Sequence, residues 1–169
     1  MFDATANAYL LLRRARVGLR TGLALAAVAL ALSFAMVPPA AAQNVPPLDK
    51  PFAEHKLALQ LSDNDPKKES LVISVAYNLL KFYGPDKVAI EVVAFGPGID
   101  LLKADNANRA LVDSLVAQGV RFDVCGNTLD TIARESGKRP DINPRAVEVE
   151  AGVAQLLTLA ETGYTIVRP

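Results

Sequence analysis

The stretch "HKLALQLSDNDPKKESLVISVAYNLLKFYGPDKVAIEVVAF", His55 to Phe95, decides how the chain folds. It opens on a short apolar run, His55 to Ser62, and closes on another, Val88 to Phe95, and both read as strands. Between them lies a helical period. Asp65 is placed to cap a helix, and Pro66 falls in its first turn, where a missing N–H does no harm. From about Lys67 to Tyr83, Leu71, Val75, Leu79 and Phe82 form one stripe. Asn78 lies on the same stripe, so it is expected to turn inward and to need a partner there. Gly84 and Pro85 end the helix. Strand, helix and strand in this order argue for parallel pairing.

The same alternation continues downstream. "GPG", Gly96 to Gly98, closes the second strand, and a helix-like segment runs from about Asn106 to Gln118 before Gly119. The strand Val120 to Cys125 puts Val120, Phe122 and Val124 on one face and Arg121, Asp123 and Cys125 on the other. That second face is polar for a covered central strand, so it is expected to meet solvent, another subunit or a site. "TLDTIARESG" reads as a short helix ended by Gly137, and "KRPDINPR" as a loop. "AVEVEAG" follows as a strand, "VAQLLTLAETG" as a helix and "YTIVRP" as a fifth strand. The expected architecture is a three-layer α/β/α sandwich around a mainly parallel sheet of five strands.

Upstream, Arg13, Arg14, Arg16 and Arg20 precede an uncharged Ala/Leu-rich stretch, Thr21 to Val37, and then Ala40-Ala41-Ala42. This is the order of a cleavable secretory signal over residues 1–42, with cleavage after Ala42. The apolar stretch is short for a span and is followed by Pro38-Pro39, so no stable membrane span is expected after cleavage. Residues 43–54 are Pro-rich and aperiodic, the pattern of an N-terminal arm ahead of a domain at 55–169. The full chain has 18 Lys plus Arg and 18 Asp plus Glu, and without residues 1–42 the balance becomes 14 against 17. Neither value supplies a bulk charge for nucleic acid or an anionic membrane. The pairs Lys67-Lys68 and Lys138-Arg139 read as solvated turns and helix ends.

Ligands in such sheets bind outside the carboxyl ends of the strands. Those ends carry Ser62 and Asp63, Gly96 to Gly98, and Cys125, Gly126, Asn127 and Thr128. Cys125 is the only cysteine, and a helix is expected to begin two to four residues beyond it. Orphan N–H groups and the positive end of a helix favour the nucleophilic thiolate of a nearby thiol. Gly126 would allow a tight turn, and Asn127 or Thr128 a cap. The competing reading is a buried, inert cysteine packing as a small hydrophobe. One cysteine rules out an intramolecular disulfide, a dithiol pair and a cysteine-cluster metal site. It leaves a persulfide, a mixed disulfide or a link between subunits.

Other candidates are weaker. His55, the only histidine, starts the first strand, away from the ligand end, so it does not pair with Cys125. "SDNDP" lacks the glycine and distant glutamate of a calcium loop. "GPG" lacks the Walker and dinucleotide patterns, and its proline removes a donor. No metal and no cofactor is called for.

The chain resembles the DsrE/DsrF-like family of small α/β proteins associated with sulfur relay, and its exported branch in particular. The likeness runs from about Lys56 to Pro169, through "LQLSDNDP", "YNLLKFYGP" with Asn78, "VVAFGPGIDLL", "QGVRFDVCGNT", "EAGVAQLLTLAETGY" and "IVRP". It implies a parallel five-stranded sheet and a homo-oligomer, trimer or hexamer. It further implies a cysteine, here Cys125 in "CGNT", that accepts sulfane sulfur as a persulfide from a donor protein or small sulfane compound and passes it on. Gly96, Gly98, Gly126, Asn127 and Thr128 match motif positions around it. The expectation is a periplasmic or secreted sulfur carrier, a sulfurtransferase-like protein. The alternative is a non-catalytic protein of the same fold, either binding a small ligand or serving as an oligomeric structural element.

Overall fold

A computed structural model describes residues 49–169. The signal-like stretch 1–42, its cleavage position and the arm as far as residue 48 lie outside the described residues. Element order is β1 (His55–Leu61), α1 (Pro66–Tyr83), β2 (Val88–Ala94), a 3-10 helix (Gly96–Leu102), α2 (Arg109–Ala117), β3 (Arg121–Cys125), α3 (Gly126–Ser136), β4 (Val147–Val149), α4 (Gly152–Glu161) and β5 (Thr165–Val167).

The five strands form one all-parallel sheet in the order β4-β3-β2-β1-β5. The chain winds one way from β1 to β4 and then returns across the whole sheet to β5. Right-handed crossovers put the helices of the first three steps on one face and the helix of the return step on the other. The packing follows. Val72, Ile73, Val112, Leu115 and Leu129 from α1, α2 and α3 bury against Leu59, Ile90, Val92, Phe122 and Val124. Leu156 and Leu159 of α4, with Tyr164, bury against Ala58, Ala89 and Val93. The result is a three-layer α/β/α sandwich with one well-filled interface and one thinner one.

The start of α1 matches its sequence signals: Asp65 is the N-cap, its carboxylate accepting the Lys67 N–H at 2.9 Å, with Pro66 in the first turn. The expected buried stripe does not hold. The inward residues are Glu69, Val72, Ile73, Ala76 and Leu80, whereas Leu71 and Phe82 are 47% and 79% exposed. Asn78 is exposed as well. The helix carries apolar side chains around much of its circumference, so two stripes satisfy the helical period. The sheet takes the one with Ala76, a small residue that lets the helix pack closely. α2 starts at Arg109 rather than Asn106, because Asn106 and Asn108 form the preceding turn and donate side-chain hydrogen bonds to Glu69 at 3.3 and 3.1 Å. Among the described residues no helix is long and apolar enough to cross a membrane.

Candidate functional site at the carboxyl edge of the sheet

The loops after β1, β2 and β3 meet at one edge. Gly98 packs against the end of β1 so closely that a Cβ there would lie 2.3 Å from the Leu61 carbonyl oxygen, so only glycine fits. This draws the 3-10 helix down and leaves Gly96 and Pro97 at the rim. The Gly96 N–H donates to Thr128 Oγ1 at 3.0 Å, joining the loop after β2 to the first turn of α3. Gly96, Pro97, Asn127, Thr128, Thr131 and Ile132 line a cleft of about 480 Å³. No wall residue is ionisable.

Cys125 itself is the N-cap residue of α3, so the helix begins immediately after it rather than two to four residues on. The expected cap by Asn127 or Thr128 is not made: both stand inside the first turn, and the Thr128 hydroxyl serves Gly96 instead. Gly126 is a first-turn residue chosen for close approach, since a Cβ would lie 2.9 Å from Glu148 Oε1 and 3.2 Å from the Val149 carbonyl oxygen. The Asn127 N–H donates to the Glu150 carbonyl at 3.1 Å. Cys125 is 6% exposed and is not a wall of the cleft. Strand alternation turns it to the opposite sheet face, the one α4 covers. Of the residues singled out in the sequence, the structure unites Gly96, Asn127 and Thr128 in one cleft. Gly98 and Gly126 pack beneath it, and Cys125 sits behind it.

The polar face of β3 is turned away from solvent: among the described residues the α4 layer covers it, with Asp123 fully buried and Cys125 6% exposed. Register brings Glu91 opposite Arg121 and Val93 opposite Asp123. Arg121 donates to Glu91 at 2.6 Å, and its Nε lies 2.9 Å from Asp123 Oδ1. The Tyr164 hydroxyl donates to the other Glu91 oxygen at 3.2 Å. Glu91 and Asp123 are fully buried, and one guanidinium serves two carboxylates. Burial pushes the Asp123 carboxyl up to about 7, with the Glu91 charge adding to the rise and Arg121 opposing it. Burial, then Glu91, also raises the Tyr164 hydroxyl. Glu91 was not recognised from the sequence. The available signal is a carboxylate at the centre of an otherwise apolar strand, which demands a partner.

Among the described residues no group of three or more His, Cys, Asp or Glu is placed to hold a metal ion. These features define a small α/β sandwich protein with a one-way-wound parallel sheet, a cleft at its carboxyl edge and a buried charge cluster on its second face. No family model matches the chain, and no curated protein does. Among solved structures it is similar to MTH1491, a protein of unknown function from Methanobacterium thermoautotrophicum, at 31% identity and a TM-score of 0.61. The match covers 69% of this chain and 100% of that one, and the chain belongs to the same family.

Proposed function

We propose that the chain is a DsrE-like sulfur carrier that holds sulfane sulfur on Cys125. The observation that carries the reading is a thiol at the junction of β3 and α3, at the N-cap of a helix and next in sequence to the walls of the cleft. The Cys125 thiolate attacks the outer sulfur of a persulfide donor; a sulfur–sulfur bond forms at Cys125 as the donor's breaks, and the donor thiolate leaves with the electron pair. A partner thiolate then takes the same sulfur and returns Cys125 to the thiolate. The exchange needs no oxidant or reductant. The N-terminal N–H groups of α3 favour negative charge at this end of the strand. The reading includes export, with cleavage after Ala42 into the periplasm or medium, and assembly as a homotrimer or homohexamer.

Intact-mass analysis after exposure to glutathione persulfide tests the reading. A gain of one sulfur atom in the native chain, absent from Cys125→Ser, is the expected result. Equal sulfur gain in both proteins, or none in either, refutes it.

The burial of Cys125 and its absence from the cleft wall favour a second reading, a binding protein that uses the cleft without chemistry. In that case Cys125→Ser binds the same small ligand as the native chain.

A further inference from the structure

The cleft beside the first turn of α3 has a continuation. A second cavity of about 530 Å³ lies farther along the same helix, with Lys103, Asp105, Ser136, Lys138 and Asp141 among its walls. Ile132 lines both, so the two cavities meet at one side chain. Together they follow the side of α3 that faces the 3-10 helix. Gly96 and Pro97, at the start of that helix, border the first cavity, and Lys103 to Asp105, just beyond its end, border the second. From Thr128 to Ser136 the helix rises about 12 Å, which sets the length of the trough. Its far end is held together by the backbone: the Ala104 N–H donates to the Asp141 carbonyl at 2.9 Å, and Lys103 bridges Ile142.

The two halves differ in what they offer. The near half has no ionisable wall, and its hydroxyls are engaged: Thr128 Oγ1 accepts from the Gly96 N–H, and Thr131 Oγ1 donates to the Asn127 carbonyl at 2.8 Å. The far half is ionic. Lys103 is held by Asp100 at 2.5 Å, and Arg139 by Asp130 and Glu148 at 2.6 and 3.1 Å, all partners outside the cavity wall. Lys138 and Asp141 pair with each other at 3.2 Å, but their side chains are 77% and 79% exposed, and a pair so open to water exchanges partners at little cost. Asp105 is exposed and makes no ion pair among the described residues. One ammonium and two carboxylates are thus left for a ligand, which is the complement of an α-amino-acid head. We propose that the trough binds a short peptide conjugate of the glutathione class. Its head carboxylate meets Lys138, its head ammonium meets Asp105 and Asp141, and its uncharged sulfur end lies in the near half. Three extended residues span about 10 Å, close to the length of the trough. The site stands on the cavities and their charges, and only its naming of a sulfur donor, a low-mass peptide persulfide, rests on the sulfur-carrier reading.

Calorimetric titration of the full chain with S-methylglutathione, which carries no thiol, tests the site without sulfur chemistry. Saturable binding is expected. Lys138→Glu sets a carboxylate against the carboxylate of the head and should weaken it about tenfold, and Asp105→Asn about threefold. Lys81→Glu, at the far end of α1, should leave it unchanged. All three side chains are exposed, so the fold is not at stake. S-carboxymethylglutathione, which puts a charge into the half without an ionisable wall, should bind about tenfold more weakly than the methyl conjugate. No binding, native affinity in Lys138→Glu, equal weakening by Lys81→Glu, or equal affinity for the two conjugates overturns the site. A chain that binds the methyl conjugate but gains no sulfur from glutathione persulfide keeps the site and loses the carrier reading. One that gains sulfur without binding the conjugate keeps the carrier reading and loses the site.

Discussion

Replacing Asp123 by Asn should change how stability depends on pH more than it changes stability itself. In the folded chain burial lifts this carboxyl from its ordinary 3.8 to about 7, while the unfolded chain has no such burial. Between those values the folded state keeps a proton that the unfolded state has released. The contribution of this group to stability is therefore greatest below about pH 4, falls as pH rises toward 7, and is level beyond. At about 1.4 kcal/mol per pH unit the whole effect is about 4 kcal/mol, and relaxation of a coupled pair around one guanidinium lowers it to roughly 2–4 kcal/mol. Asn is close to the protonated acid in shape and charge. It should match the native chain near pH 3.5 and exceed it at pH 8, by a Tm difference of about 5–10 °C for a domain of this size. Thermal unfolding of both proteins at half-unit pH steps reads the difference directly, and other titrating groups cancel between them. Parallel profiles, or an Asn variant that is the less stable one at pH 8, would refute the assignment of the buried charge.

Two further tests address packing. Gly98→Ala forces a Cβ to within 2.3 Å of the Leu61 carbonyl, backbone against backbone, so the 3-10 helix must move; urea unfolding should show a loss of about 2–4 kcal/mol. On α1, Ile73→Ala should cost about 2–4 kcal/mol, whereas Phe82→Ser on the exposed line should stay within about 0.5 kcal/mol. Equal losses at the two positions would restore the stripe suggested by Leu71 and Phe82.

The βα alternation was legible because its signals are local: short apolar runs, Asp65 with Pro66 at a helix start, and Gly84, Gly119, Gly137 and Gly163 after helix ends. Strand order was not, because a parallel crossover leaves no mark of its direction, and the return from β4 to the far edge at β5 exists only in the assembled sheet. The face of α1 failed for a different reason. Its period is satisfied by two lines of apolar residues, and the choice belongs to the sheet rather than to the helix. The cleft was half legible. Gly96, Asn127 and Thr128 could be placed at strand ends, but the side of the sheet to which Cys125 turns separates it from them.

Glu91 shows where reading along the chain stops. Its partners Arg121 and Tyr164 lie 30 and 73 residues away, so no window of sequence contains the group that makes its burial tolerable. The polar alternation of Arg121 and Asp123 was visible, and so was a carboxylate inside an apolar strand. What joins them is register. Once β2 and β3 are neighbours in a parallel sheet, Glu91 falls opposite Arg121 and the two oddities become one buried cluster. Burial there raises the proton affinity of Asp123, so the second face of the sheet is a place where the stability of this fold answers to pH.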